Sequence, residues 1–316
     1  MPASYTHQLL AENILEDLPV EIKSKITVLA EYYLGAQGGD VWYFHKAVGS
    51  SKNLNLGKYF HRCNIYNVFS LLLKCVKDNQ NAFSYAAGYI THYAVDTLFH
   101  PYVYYTSKEI KMCPEGWRGN KHALIESDLD TYFVNKELDI PVGEYSLPYT
   151  KKEVNVSTLA PVIRRISSFT GGRDDVTEVS LKKAINSFFR AQAFFSDRKY
   201  GLRKFLYGAE SFFGAPHTLS SLCRKEEPDK ICLNEQNQEW YYLADPTRKS
   251  NESAEELYQR ARKEGGRLIK IFYSCMTDGS LLPREDFGKH FLTGIGEGEG
   301  VADEKGNPLQ SANKPE

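Results

Sequence analysis

Residues 88–102 read GYITHYAVDTLFHPY, with His92, Asp96 and His100 spaced four and four. Positions i and i+4 of an α-helix share a face, their Cβ atoms about 6 Å apart. His92 and Asp96 can therefore chelate one metal ion. His92 and His100 are eight residues apart, roughly 12 Å along the axis at about 1.5 Å per residue. They cannot comfortably hold the same ion. A stripe that binds metal throughout implies at least two ions, with Asp96 placed to bridge or to serve a neighbour. The surrounding apolar pattern predicts a helix over 82–104, with Ala86, Ala87 and Gly88 as a waist that lets a neighbouring helix come close. Pro101 predicts a kink or an end at His100, because proline restricts the residue before it and lacks the N–H.

The next stretch outward, KHALIESDLD at 121–130, repeats the device with His122 and Glu126 on a predicted helix over 120–137. Imidazole and carboxylate are ligands that suit Zn²⁺. His100, His122 and Glu126 make a three-ligand site with open positions for water. His92 and Asp96 need further ligands; His61 in GKYFHR, Asp40 in the loop GGD and His7 are the candidates. A lone histidine on an amphipathic helix is ordinarily a core or surface residue. HxxxDxxxH followed 22 residues later by HxxxE is a far more specific pattern. Asp128 and Asp130 read as surface groups. His45, His217 and His290 read as structural or exposed. Tyr5, Trp42, Tyr43 and Phe60 flank ligands and read mainly as core.

Helical periodicity dominates elsewhere. Helices are predicted just after His7, over 20–34, 57–76, 159–169 and 176–196 with a continuation to 213, and over 253–275 behind a Ser253/Glu256 capping box. Residues 36–56, 138–156 and 214–250 read as irregular, and strand alternation is weak. The expected class is all-α: one multi-helix domain over 1–292 and a flexible Gly- and Glu-rich tail over 293–316.

The 316 residues carry 39 Lys+Arg against 40 Asp+Glu, a formal charge of −1. That balance disfavours a protein that coats nucleic acid by bulk electrostatics. A hydrophobic share of 42% excludes a disordered chain, and no apolar run is long enough for a membrane span. The N-terminal residues have no basic or apolar signal regions, and the six cysteines form no CxxC. Reduced thiols and a cytoplasmic address are expected, with a Cys223–Cys232 disulfide left open. There is no GxxxxGK[ST], no GxGxxG after a strand, no GxSxG and no His-Asp pair, and HxxxE is not the ExxH of carboxylate-bundle iron proteins.

The ordered set His7, Asp40, His61, His92-x3-Asp96-x3-His100 and His122-x3-Glu126 resembles the bacterial zinc-dependent phospholipase C family. The single-strand-specific zinc nucleases share its metal-site pattern. LGAQGGD, GKYFHR, GYITHYAVDTLFHPY and HALIESDLD look like the phospholipase branch. The likeness is strong over about 5–130 and weaker over 230–275, around NEQNQEW and Asp245-Pro246. It implies an all-helical fold with a three-zinc cleft. Asp40, His61, His92 and Asp96 would hold one zinc, His100, His122 and Glu126 the second, and His7 with the bridging Asp96 part of the third. The carboxylate matching Asp40 is also the family's candidate general base.

Secreted members complete the third site with the amino group and carbonyl of an N-terminal Trp. No Trp precedes Trp42 here, so the expectation is that Met1 is removed and the Pro2 amine ligates. The lipid-binding β-sandwich of the membrane-damaging toxins is not expected. The implied activity is phospholipase C-type cleavage of a phospholipid head group, or of another phosphodiester, with two or three Zn²⁺ and a metal-activated water. The alternatives are a zinc-dependent nuclease acting on single-stranded nucleic acid, and a noncatalytic helical protein that zinc only stabilises.

Overall fold

The computed structural model describes residues 4–45, 56–109, 120–170, 176–196 and 198–296. Among them are twelve α-helices, short 3-10 turns and one small hairpin. The helices are α1 (Ser4–Asp17), α2 (Val20–Lys23), α3 (Leu29–Ala36), α4 (Leu56–Phe60), α5 (Ile65–Asp78), α6 (Phe83–Glu109), α7 (Lys121–Leu138), α8 (Val156–Phe169), α9 (Glu178–Phe195), α10 (Gly201–Phe212), α11 (Ala254–Asp278) and α12 (Arg284–Phe287). The all-α class holds, with no closed sheet.

The predicted helix over 82–104 is the axis of the molecule. In α6, apolar residues Ala86, Ile90, Ala94 and Phe99 are buried together with His92, Asp96 and His100. A helix buried on every side has no solvent face, so its sequence shows little amphipathic contrast. It packs chiefly against α3 and α11. The small-residue waist works as expected: a Cβ at Gly88 would stand 1.9 Å from the Tyr32 carbonyl oxygen, so only glycine lets α3 and α6 approach this closely. Two apolar clusters meet along α6. One includes its residues up to Ala94, the other those from Val95 onward. The polar stripe crosses that join.

Pro101 does not end α6, which runs on to Glu109. Proline removes the hydrogen bond to the carbonyl four residues earlier, here that of Thr97. The Gly294 backbone packs against that carbonyl, close enough that a Cβ on Gly294 would lie 2.3 Å from the oxygen.

Two predicted helices are each divided. Residues 20–34 break after Lys23, and 57–76 break at His61–Asn64. The second break has a local cause: the Asn64 side chain accepts from the Asn67 N–H at 2.9 Å and starts α5 afresh. Such a cap is worth about 1 kcal/mol. α5 then buries Ile65, Val68, Phe69, Leu72 and Val76 along one face. Phe69 lies 5.0 Å from the Tyr93 ring and 5.2 Å from Phe287, and trimming such a residue to alanine costs about 3–5 kcal/mol.

The capping box of α11 forms as expected, the Ser253 N–H donating to Glu256 at 2.8 Å and the Glu256 N–H to Ser253 Oγ at 3.2 Å. The region 214–250 is less irregular than expected. It ends in an antiparallel hairpin of β1 (Trp240–Tyr242) and β2 (Asp245–Ser250), with Trp240 opposite Ser250. Residues 293–296 of the expected tail are packed, with Thr293 and Ile295 buried; 297–316 lie outside the described residues. Cys223 and Cys232 are buried thiols with no disulfide between them, so the pairing left open does not form. Cys113 lies outside the described residues. No described helix is long and apolar enough to cross a membrane.

Candidate metal centre

All eight candidate ligand residues converge. They form three triads: His7, His92 and Asp96; Asp40, His61 and His92; and His100, His122 and Glu126. Within each triad the potential ligand atoms lie within 4.8 Å of one another. Seven of the eight residues are buried, and His122 is partly open, with 21% of its side chain exposed. His92 and His100 fall in different triads, as their axial separation requires.

Asp96 is the hub. Its Oδ1 stands 3.2 Å from His7 Nε2. Its Oδ2 stands 3.3 Å from both His61 Nε2 and His92 Nε2, and 3.7 Å from His100 Nδ1. Asp40 meets His61 Nε2 at 3.3 Å. In the second half, Glu126 lies 3.0 Å from His122 Nε2 and 3.7 Å from His100 Nε2.

Local structure sets these angles. Asp40 sits in the 3-10 turn Gly38–Trp42. That turn needs glycine twice over: Gly38 has φ +51°, and a Cβ on it would strike His92 Cδ2 at 2.1 Å. The break between α4 and α5 leaves His61 at the end of a short helix, where its Nδ1–H donates to the Gly57 carbonyl at 2.7 Å. His100 Nδ1–H donates to the Phe291 carbonyl at 2.9 Å. Each bond fixes a tautomer and leaves Nε2 as a lone-pair donor facing the carboxylates.

Burial and charge tune the groups in opposite directions. Burial alone would raise the carboxyl of Asp96, but the imidazoles around it hold it well below the usual carboxylate range. For Glu126 too, His122 outweighs burial and holds the group down, and Asp40 is lowered against its burial, with His61 and His92 among the positive groups that favour its charge. Burial pushes His92 down to about 3, so its ring is neutral at pH 7. His100 is lowered by burial as well. His61 goes the other way: Asp96, Asp40 and the Gly57 carbonyl overcome its burial.

The donor set fits zinc. His92 is fully buried, yet neither ring nitrogen has a hydrogen-bond partner, and Nδ1 of His7 and of His122 is in the same position. Unpaired buried polar atoms are costly, and neutral imidazoles among ionised carboxylates are what a Zn²⁺ shell requires.

The family model for zinc-dependent phospholipase C matches residues 6–169. The chain belongs to this family. The match covers all eight residues and ends before the weaker likeness over 230–275. No curated protein sequence and no solved structure gives a significant match. With three His/carboxylate triads inside the matched residues, this member of the zinc-dependent phospholipase C family is a zinc-dependent phosphodiester hydrolase, with clusters for two or three ions.

Spacing alone missed several contributors. His290 is partly buried, its Nδ1 accepting from the Leu292 N–H at 3.2 Å, a structural role as expected. Its ring is pushed down to about 4, by burial first and by the neighbouring His61 and His100 second. Phe291 lies against the rings of His61 at 5.4 Å and His92 at 5.5 Å. Asp286 precedes His290 by four, but Pro283 and Gly288 argue against a helix there, and Phe291 carries no ligand group, so nothing local marks either.

Asp128 and Asp130 are not surface groups; both are fully buried. Asp128 pairs with Lys225 at 2.7 Å, though burial still lifts it to about 6. Asp130 accepts from the Thr6 N–H and Oγ1 at 2.8 Å each, and from Arg224 Nη2 at 2.7 Å. That clamp ties the start of α1, next to His7, to the helix of His122 and Glu126. Among the flanking aromatics, Tyr5, Trp42 and Phe60 are core, as expected. Tyr43 is half-buried, 5.5 Å from the His61 ring. The amine expected at the third site belongs to residue 2, outside the described residues.

Proposed function

We propose that the centre cleaves a phospholipid between glycerol and phosphate, releasing a phosphorylated head group and diacylglycerol. The observation that carries this reading is that His92 belongs to two of the triads while Asp96 reaches from His7 in the first to His61 in the second, which gathers the ligands into one compact group. His7, His92 and Asp96 form one seat, Asp40, His61 and His92 with Asp96 a second, and His100, His122 and Glu126 a third. Zinc bound there supplies Lewis acidity for a phosphodiester and makes water acidic enough to attack near neutral pH.

The chain's own residues do the rest. Asp40, ionised beside His61, accepts the proton of the attacking water at its carboxylate. His61 and His100, each locked by a backbone carbonyl, hold their Nε2 atoms on the cleft without reorganising. Phe291 closes the cleft floor against bulk water. The phosphate enters by the partly open His122, beside the Tyr104 ring 4.7 Å away.

The test is turnover of a soluble phosphocholine ester by the zinc-loaded protein, with single-stranded DNA and a chelator as parallel arms. Hydrolysis of the ester, lost on chelation, is expected. His92→Ala and Glu126→Ala are expected to abolish it and to lower the zinc content. Full activity in either variant at normal metal loading refutes the site. Cleavage of DNA alone replaces lipid with nucleic acid, and inactivity on both with chelator-induced unfolding makes the metal structural.

A further inference from the structure

Helix α10 leaves its large aromatic side chains in the open. Leu202, Phe205, Leu206, Ala209 and Phe212, with Phe213 just beyond, recur at the spacing of one helix face. A soluble helix normally buries such a face. Here Phe205, Phe212 and Phe213 are 70%, 85% and 78% exposed, and the buried residue of the helix is Glu210. The polar side makes the anchorage. Glu210 accepts from the backbone N–H groups of Leu219 and Ser220 at 2.7 and 3.3 Å, and Arg203 Nε donates to the Ser220 carbonyl at 3.4 Å. Residues Ser220–Leu222 lean on α7, the helix of His122 and Glu126. Leu202, Leu206 and Ala209 are partly buried beside that anchorage, and Phe205, Phe212 and Phe213 are held outward on a firm footing.

Charge and position add to this. Arg198, Lys199, Arg203 and Lys204 precede or begin the helix, and the one acid within it, Glu210, is turned inward. Phe194, on the last turn of α9, is 51% exposed. Its neighbour Phe195 packs 6.4 Å from Phe44, four residues after Asp40.

We propose that α10 is an interfacial anchor. Phe205, Phe212 and Phe213 insert at the head-group boundary of an anionic lipid surface, and Arg198, Lys199 and Lys204 meet its phosphates. The inference rests on the phospholipid reading of the centre and names the state of the substrate: packed in a bilayer rather than dispersed. A second copy of the chain fits less well, because a two-fold contact on this face would set its cations against the same cations.

The experiment is co-sedimentation of the full-length, zinc-loaded protein with phosphatidylcholine/phosphatidylserine vesicles and with phosphatidylcholine alone. Two independent variants are compared, Phe212→Ser/Phe213→Ser and Arg198→Glu/Lys204→Glu. The wild type is expected to sediment with the mixed vesicles, and less so without phosphatidylserine or in high salt. Each variant is expected to bind about tenfold more weakly or worse, with turnover of the soluble ester unchanged. A wild type that stays in the supernatant, or variants that sediment as it does, overturns the anchor. So does a wild-type oligomer that Phe212→Ser/Phe213→Ser converts to a monomer with vesicle binding intact. Ester turnover without vesicle binding refutes the anchor and leaves the centre's assignment standing. Phe-dependent vesicle binding without any phosphodiester turnover supports the anchor and refutes the substrate reading.

Discussion

Asp96 and Asp130 are both enclosed carboxylates, and the protein treats them differently. Asp130 meets a built-in cation, Arg224, whose guanidinium also lies 3.6 Å from the Tyr5 ring centroid. With Thr6 donating twice, its charge is answered from within the chain. Asp96 meets four imidazoles, and one of them, His92, is neutral at pH 7 with both ring nitrogens unpaired. A carboxylate ringed by arginine and amides holds the fold. One ringed by imidazoles with idle lone pairs is a seat for a cation from outside.

The comparison breaks most visibly at Asp96. Asp96→Asn is expected to lower ester turnover about a thousandfold or more and to cut zinc content, while circular dichroism still reports a folded helical protein. A variant with normal metal and normal rate erases the distinction. Arg224→Met should do the reverse. Leaving Asp130 buried without its cation is expected to cost about 3–5 kcal/mol, read by urea unfolding of the chelated protein, and adding Asp130→Asn should recover part of the loss. Full additivity of the two changes would mean the pair is not coupled.

Chelation sharpens the contrast further. Zinc at about a thousand times its dissociation constant stabilises by about 4 kcal/mol. The chelator-induced fall in Tm should therefore shrink in Asp96→Asn and persist in Arg224→Met.

Glu31 supplies the smallest effect and a third answer. It is buried with only the Asn155 N–H to oppose burial, and its carboxyl rises from 4.5 to about 7. The folded state then holds the proton more tightly than the unfolded one. Stability from this group is complete below about 4.5 and is lost as pH rises through about 7. The Tm of Glu31→Gln relative to wild type is expected to climb between those two values; parallel profiles would show that Glu31 ionises normally.

Much of this was legible because it is local. HxxxDxxxH and HxxxE encode their geometry within single helices, and the Ser253/Glu256 box announces its own helix. The waist at Gly88 could be read from residue size alone. What stayed hidden depends on distant partners. Asp130 looks like any polar helix position until Arg224, 94 residues on, lies against it. The outward face of α10 was hidden for the opposite reason: its apolar spacing is ordinary, and only the burial of Glu210 reveals which side is anchored. The hairpin at 240–250 was missed because its strands are short and exposed residues dominate β2.

The bond from His100 to the Phe291 carbonyl spans 191 residues of chain. It imposes an order on biosynthesis. A nascent chain carries every candidate ligand once Glu126 has been made, yet the His100 ring can still flip and exchange tautomers. Only when residue 291 arrives does that ring lock with Nε2 inward. The zinc site is therefore finished only after residue 291 has been made, and a chain cut short before it holds the ligands without the final setting.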